Sequence, residues 1–497
     1  MNLTCVARFL SAVLLALCVL LPNAHAEAPS WLGRQYETQL SETWMNVSFG
    51  KNKIGFSHQK IEKGKNGYRI TSRAVIRLNV MGISQDMSFS RSYYLDNKKD
   101  VLGFISLMKI QNQRQQTVGT ITGNVLKLSI KGAGGENEVT KKLPKGVDFA
   151  ETFSFKLADQ LKVGMRLTVP VYMVELRTFA PMTLNVTGKK KIKSAGGEVE
   201  VFVIDVAMQG FTSKSYVTQD GVTVREEQSM MGMVSEVVDE ATALSFPKGS
   251  AVPVSSLITF SLVKPDKPIP DAGSLKELNL VIGGIKNPSA IPEDDRQIVG
   301  SPEWVKDAKG GRSLNIPVKL IRKIPQNKSS IKEASALMPE GLRPTPEIQA
   351  DNAMIKKQAK KIIGNEIDAF EAAKKIRRWV FKNLKKELSD SITAIDVLRS
   401  RKGECQSHTN LFTALARSVG IPTRTASGIV YSHANDGFLY HAWPEVYISE
   451  WIPMDPTLGQ DVADVTHLKL AQGGVESQLK LISFIGKITV SVRSFKK

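Results

Sequence analysis

Between about residues 30 and 245, polar and apolar positions alternate with a period of two. Ile70, Ser72, Ala74, Ile76, Leu78 and Val80 interleave with Thr71, Arg73, Val75, Arg77 and Asn79, the pattern of a half-buried strand. Asn66-Gly67, Gly123-Asn124 and Asp220-Gly221 punctuate such runs as hairpin turns. The pattern predicts a long antiparallel β domain over 27–245. From 246 to 345 the chain is richer in proline (Pro247, Pro253, Pro265, Pro268, Pro270), with strand-like runs at 256–263, 278–282 and 314–321. These predict a smaller β module, such as a sandwich. Pro339, Pro344 and Pro346 mark a linker after it.

After Asp351 the period lengthens to 3.6. Asp351 is expected to cap a helix that carries Ile355, Ala359, Ile362 and Ile363 inward and stops at Gly364. A second helix is predicted over 368–386, with Ala372, Ile376, Trp379, Val380 and Leu384 buried. A short third holds Ala394, Val397 and Leu398. A fourth starts at Cys405, buries Leu411, Phe412, Leu415, Ala416 and Val419, and ends at Gly420-Ile421-Pro422. Strands are expected at 424–431, 438–448 and 451–454. Helices followed by strands indicate an α+β module, assigned to 351–497. The whole chain therefore reads as multidomain, antiparallel β first and α+β last.

Composition adds boundaries to this picture. A chain of 497 residues exceeds one hydrophobic core, so two to four domains are expected. With 42% hydrophobic and 23% charged residues, extensive disorder is excluded. Residues 1–26 read as a signal peptide: Arg8, then an apolar run to Leu21, Pro22, and the small-residue pattern Ala24-His25-Ala26. The run is shorter than the roughly 20 residues of a membrane span. Cleavage after Ala26 would leave a periplasmic or extracellular protein with no transmembrane anchor. Of three cysteines, Cys5 and Cys18 leave with that peptide, so Cys405 is the one thiol of the mature chain. An unpaired cysteine in an exported protein is either intermolecular or reactive.

A formal net charge of +19 admits anionic partners such as acidic cell-envelope polymers. The lysines are scattered or follow helix faces, with no aromatic-interleaved basic stripe, so nucleic acid is not an expected partner.

The chemistry centres on Gly403-Glu404-Cys405-Gln406 at the start of the fourth helix. A helix N-terminus favours the thiolate, because unpaired N–H groups point at it. The Cys405 N–H could also face the oxyanion of a tetrahedral intermediate. His441 lies on a following strand and Asp455 just beyond the next, so the carboxylate could orient the imidazole as the third member of a triad. Pro444 breaks the alternation and leaves the register open. Among the other histidines, His408 follows Cys405 on its helix, His433 sits in a loop, and His58 and His467 fall outside the constellation. One thiol with scattered histidines lacks a zinc spacing, and no calcium-loop signature is present, so no metal and no cofactor are expected.

The segment from Gly403-Glu404-Cys405-Gln406 through Gly420-Ile421-Pro422 resembles the cysteine segment of bacterial transglutaminase-like proteins. Gly428-Ile429-Val430-Tyr431, His441-Ala442-Trp443-Pro444-Glu445 and Trp451-Ile452-Pro453-Met454-Asp455-Pro456-Thr457 continue the resemblance in the family's order. It implies a papain-like fold whose Cys, His and Asp correspond to Cys405, His441 and Asp455. Animal transglutaminases place a tryptophan near the oxyanion, but the spacing of Trp379 with Ile376 and Val380 assigns it to the core; Tyr440 and Trp443 flank the histidine as packing. The family includes transglutaminases, peptidases, amidases and members without activity. A peptidase or amidase on protein or peptide is the expectation; amine-accepting cross-linking and an inactive envelope scaffold are the alternatives. More loosely, residues 44–56 resemble curved-sheet domains of exported bacterial proteins that carry or bind lipoproteins, which adds a lipid or lipoprotein carrier as a further alternative.

Overall fold

The computed structural model describes residues 29–80, 83–110, 113–132, 135–174, 177–194, 197–208, 211–228, 232–245, 262–306, 311–325, 329–387, 393–474, 480–481 and 484–497. The signal peptide expected at 1–26, Pro247, Pro253 and most of the run at 256–263 lie outside these residues. The chain divides into a short unit ending at Gln35 and a unit spanning Tyr36–Lys497, which is the one described below.

Fifteen strands between Thr38 and Val238 form one sheet, antiparallel except for its last pair. The first strand, Thr38–Phe49, lies in the middle of the order, between Asn52–Gly64 and Met233–Val238. The chain zigzags outward to the edge strand Gly135–Lys142, then restarts at the opposite edge, Asp148–Phe149, and zigzags back. Laid flat, the sheet would be roughly 65 Å across at the usual strand spacing. Yet its two edges are joined only by residues 143–147, which reach at most about 20 Å. The connection forces the sheet to curl. An aromatic cluster occupies the resulting interior: Phe104 from one half of the sheet packs on Phe149 and Tyr172 from the other, with centroids 5.6 and 6.2 Å apart.

The three hairpins read from sequence form, with positive φ at Gly67, Gly123 and Gly221. The alternation at 70–80 is only half of that strand's story. Ile70 is fully buried on one face, but Val75 is buried on the other, with Phe56 and Ala243. The reason is the short helix Glu240–Leu244, which covers the outer face there; Lys53 Nζ reaches three carbonyls at its C-terminal end, at 2.6–2.8 Å.

The predicted smaller module is a sheet ordered Gln297–Val299, Arg312–Ile321, Glu277–Ile285, Thr489–Lys496, with Glu303–Lys306 also pairing to Arg312–Ile321. Its last strand is the C-terminus of the chain, which sequence alone grouped with 351–497. The pairing follows from burial, since Val490 and Val492 complete a core with Leu278, Leu280 and Ile282. That core continues into Ile429, Phe438, Leu468 and Leu470 of the catalytic-type sheet.

The last module has the expected α+β order. Helices Ala353–Ile363, Ala369–Asn383, Ala394–Ser400 and Cys405–Ser418 precede a four-stranded sheet ordered Trp451–Pro453, Gly437–Tyr447, Thr423–Ser432, Leu468–Gln472. The first helix is capped by Asn352, whose Oδ1 accepts the Met354 N–H at 2.9 Å; the expected cap, Asp351, lies one residue outside. Trp379 is half-buried against the helical core, under the Arg401 guanidinium at 4.4 Å. Pro444 is accommodated opposite Thr425, and the register puts His441 opposite Gly428.

Gly428 is held to glycine by close approach. A Cβ there would stand 1.9 Å from the Leu468 carbonyl oxygen. Gly428→Ala is expected to cost about 2–3 kcal/mol, the range of overpacked core positions, read as a lower urea midpoint at unchanged slope.

Candidate active site

Cys405 is the first residue of its helix, with extended Glu404 as the cap position. Gly403 precedes it because a Cβ there would fall 2.2 Å from the Ser407 side chain. The helix is locked beneath the sheet: Ser407 to Ala416 are buried, and Thr409 Oγ1 donates to the Ala442 carbonyl at 3.0 Å, tying the cysteine helix to the histidine strand. Cys405 itself is partly exposed and unpaired. Its Sγ lies 3.7 Å from Glu404 Oε2. Burial pushes the Glu404 carboxyl above its ordinary range, against the opposing hydrogen bonds from the Gln406 N–H and Cys405.

His441 and Asp455 meet as the sequence suggested. His441 Nε2 lies 2.7 Å from Asp455 Oδ2. Burial alone would push the imidazole down, but its hydrogen bonds to Asp455 and Cys405 outweigh burial and raise it to about 9. With Nε2 committed to Asp455, the other ring nitrogen is the one left for the thiol. The strand pair that carries these residues turns at Ser449, in the left-handed region, and pairs Glu445 with Pro453. Asp455 itself opens a tight turn: its Oδ1 accepts the N–H groups of Thr457 and Leu458 at 2.6 and 2.8 Å, and its backbone exchanges hydrogen bonds with Gln460.

One residue that sequence placed outside the constellation belongs to it. His467 Nε2 reaches the same Asp455 Oδ2 at 3.0 Å, and its Nδ1 lies 3.3 Å from Asp464 Oδ1. Two nitrogens facing two carboxylates identify the imidazolium, and His467 is raised to about 10 despite complete burial. Asp455, although burial favours its neutral form, is held well below the carboxylate range by both imidazoles. The sequence signal was slight: an Asp-x-x-His step, Asp464 to His467, directly before the sheet's edge strand. His408 is different again. Buried, with Nδ1 facing the Glu404 carbonyl at 2.9 Å, it is lowered by desolvation and stays neutral; His433 is exposed and His58 stacks on Trp44 in the β domain.

His441, Asp455 and His467 present ligand atoms within 4.8 Å of one another, so a cation deserves a test. Ligands at about 2.0–2.1 Å around tetrahedral zinc stand roughly 3.3 Å apart. The observed 2.7 Å contact is shorter than that and has the length of a charge-assisted hydrogen bond.

Because both histidines are raised above the ordinary value of about 6.5, their contribution to stability is full below that pH. It is lost as pH climbs through about 9 to 10. Urea unfolding is expected to show an alkaline loss on the order of 3 kcal/mol over this window. His467→Gln, which can still donate to Asp455 but does not titrate, should flatten that slope; an unchanged slope would mean His467 carries no proton there.

Residues 356–456 match the family model described as the transglutaminase-like superfamily. An uncharacterized protein of Haemophilus influenzae is 29% identical over 164 residues, which span 27% of this chain and 42% of that protein. The structure of a candidate cysteine protease from Cytophaga hutchinsonii is similar at 16% identity and a TM-score of 0.28, over 45% of this chain and 85% of that one. A β-barrel-like domain of unknown function from Brucella abortus is similar at 13% identity and a TM-score of 0.34, over 40% of this chain and 95% of that one. Among the described residues, no helix is long and apolar enough to cross a membrane. The module holding Cys405, His441 and Asp455 is a transglutaminase-like domain, joined to a large N-terminal antiparallel β sheet.

Proposed function

We propose that the chain is an exported cysteine enzyme that opens amide bonds in protein or peptide through a thioester. One observation carries the reading: His441 is bonded to buried Asp455 through Nε2 and interacts with Cys405, the unpaired, partly exposed thiol at a helix start. Cys405 is the nucleophile, His441 its acid and base, and Asp455 the group that orients the ring. The thiolate attacks the carbonyl carbon while the first-turn N–H faces the developing oxyanion. As the C–N bond breaks, the His441 imidazolium protonates the departing amine. Water then attacks the thioester, giving its proton to His441; the C–S bond breaks, releasing the carboxylic acid and restoring the thiolate–imidazolium pair. Export rests on the apolar leader at 1–26 and on a mature chain with a single cysteine.

His467 is a positioning residue in this scheme. It touches no reacting atom, but it keeps Asp455 ionised and fixed, with Asp464 behind it.

Iodoacetamide should alkylate Cys405 readily at mildly acidic pH, and His441→Ala should slow that reaction by about tenfold or more. Equal, sluggish alkylation of both proteins would defeat the enzyme reading. On a labelled glutamine peptide, Cys405→Ala should be silent and Asp455→Asn should lose about 10²–10⁴ in kcat. Product release into water rather than onto an added amine is expected. Chelators should leave the rate unchanged; their inhibition would put a cation at Asp455 instead of a proton network.

A further inference from the structure

The β domain contains a site that the cysteine chemistry does not use. Helix Ala150–Leu157 packs on the inner face of the curled sheet, and a cavity of about 630 Å³ lies between them. Small-molecule sites occupy ~300–1,000 Å³.

Strand register sets its lining, since cross-strand partners share a face. Met182 stands opposite Met208 and Leu184 opposite Val206, and Phe153 and Leu157 of the helix join them. This wall is apolar, and its methionines are adaptable in shape. Further round the sheet the same face becomes polar. Ser213 stands opposite Gln228, and Ser215 opposite Glu226.

The basic side chain on this face is already matched by an acid. Arg91 pairs with Glu151, whose carboxylate also accepts the Tyr93 hydroxyl at 2.7 Å. Burial raises the Glu226 carboxyl above its ordinary range, against hydrogen bonds from Ser213 and Gln228. Arg73 and His58, opposite one another, have the other parity and belong to the outer face, where His58 stacks on Trp44 and Arg73 lies over Phe56. Among the described residues of the inner face, hydroxyls, amides and the half-buried Glu226 carboxyl face the cavity, and its one ion pair, Arg91 with Glu151, is internally neutral.

We infer that this cavity binds a single-chain amphiphile with an uncharged, hydrogen-bonding head group. The acyl chain lies along the Met182–Met208 wall, and the head group meets Ser213, Ser215, Glu226 and Gln228. An apolar ligand would leave that polar wall without partners. An anionic head would be desolvated with no free cation to meet it. A glycerol ester and an acylated peptide amide share this chemistry.

Calorimetric titration of the full chain carrying Cys405→Ala tests the inference. Because the thiol is absent, the result is independent of the enzyme reading. Monodecanoylglycerol and N-decanoylglycinamide, below their micelle concentrations, are the probes; the tighter one names the source of the chain. One-to-one saturable binding of either is expected, with decanoate about tenfold weaker. Met208→Trp, which fills the apolar wall, should weaken binding about tenfold at an unchanged melting temperature, and Ser213→Phe should do the same from the polar wall. Glu226→Gln, which keeps the size of the side chain and its capacity to hydrogen-bond the head group, should bind within about threefold of the parent. No saturable binding, decanoate binding as well as the neutral probes, or indifference to both cavity-filling variants would overturn the assignment.

Discussion

A single ionised carboxylate, shut away from water, organises the transglutaminase-like end of this molecule. Asp455 is fully buried, and a lone charge in that position would cost several kcal/mol. It is stabilised because every direction is answered: His441 and His467 on one oxygen, and the Thr457 and Leu458 N–H groups on the other. Each donor constrains a different piece of chain. The N–H groups require the tight turn from Asp455 to Gln460, His441 requires the strand opposite Gly428, and His467 requires the chain to return beside that strand. Arg377, buried on the second helix, adds a bond to Asp461 in the same turn. Positioning the base and stabilising the loop are therefore one problem with one solution.

The site was legible in sequence to the extent that its parts lie in ordered local motifs. A cysteine after a glycine at a helix start, a histidine in a strand and an aspartate after the next strand can be read along the chain. His467 could not be read so easily. It faces Asp455 only because residues 456–466 fold back, held by the Gln460 side chain on Asp464, and no periodicity encodes that return. The single-residue shift of the helix cap from Asp351 to Asn352 is a smaller case, since both side chains can cap and geometry chooses.

In the β region, turns and alternation were legible but closure was not. Strand signals say that residues pair; they do not say that Thr38–Phe49 pairs with Met233–Val238 across the whole domain. Val75 shows the consequence. Its burial depends on a helix some 165 residues later, Glu240–Leu244, which a period-two pattern treats as belonging outside. The methionine wall and the serine wall, by contrast, lie on successive hairpin strands and share a face through local register.

The C-terminal strand bears on how far the transglutaminase-like module stands alone. Thr489–Lys496 leaves that module and pairs with Glu277–Ile285 of the preceding one. The contact is polar as well as apolar. Lys469, nearly fully buried on the strand that follows His467, is neutralised by Asp294 from the small module and Glu445 from the histidine strand. Gln297 brackets the Lys469 backbone, donating to its carbonyl and accepting its N–H at 2.8 and 2.7 Å. Removing the small β module would expose Leu468 and Leu470 and leave Lys469 with half its countercharge. The strand that fixes His467 would then lose its outer support, and Asp455 would lose its second imidazole. The small β module is thus a buttress of the site, acting through His467 on the carboxylate that holds His441.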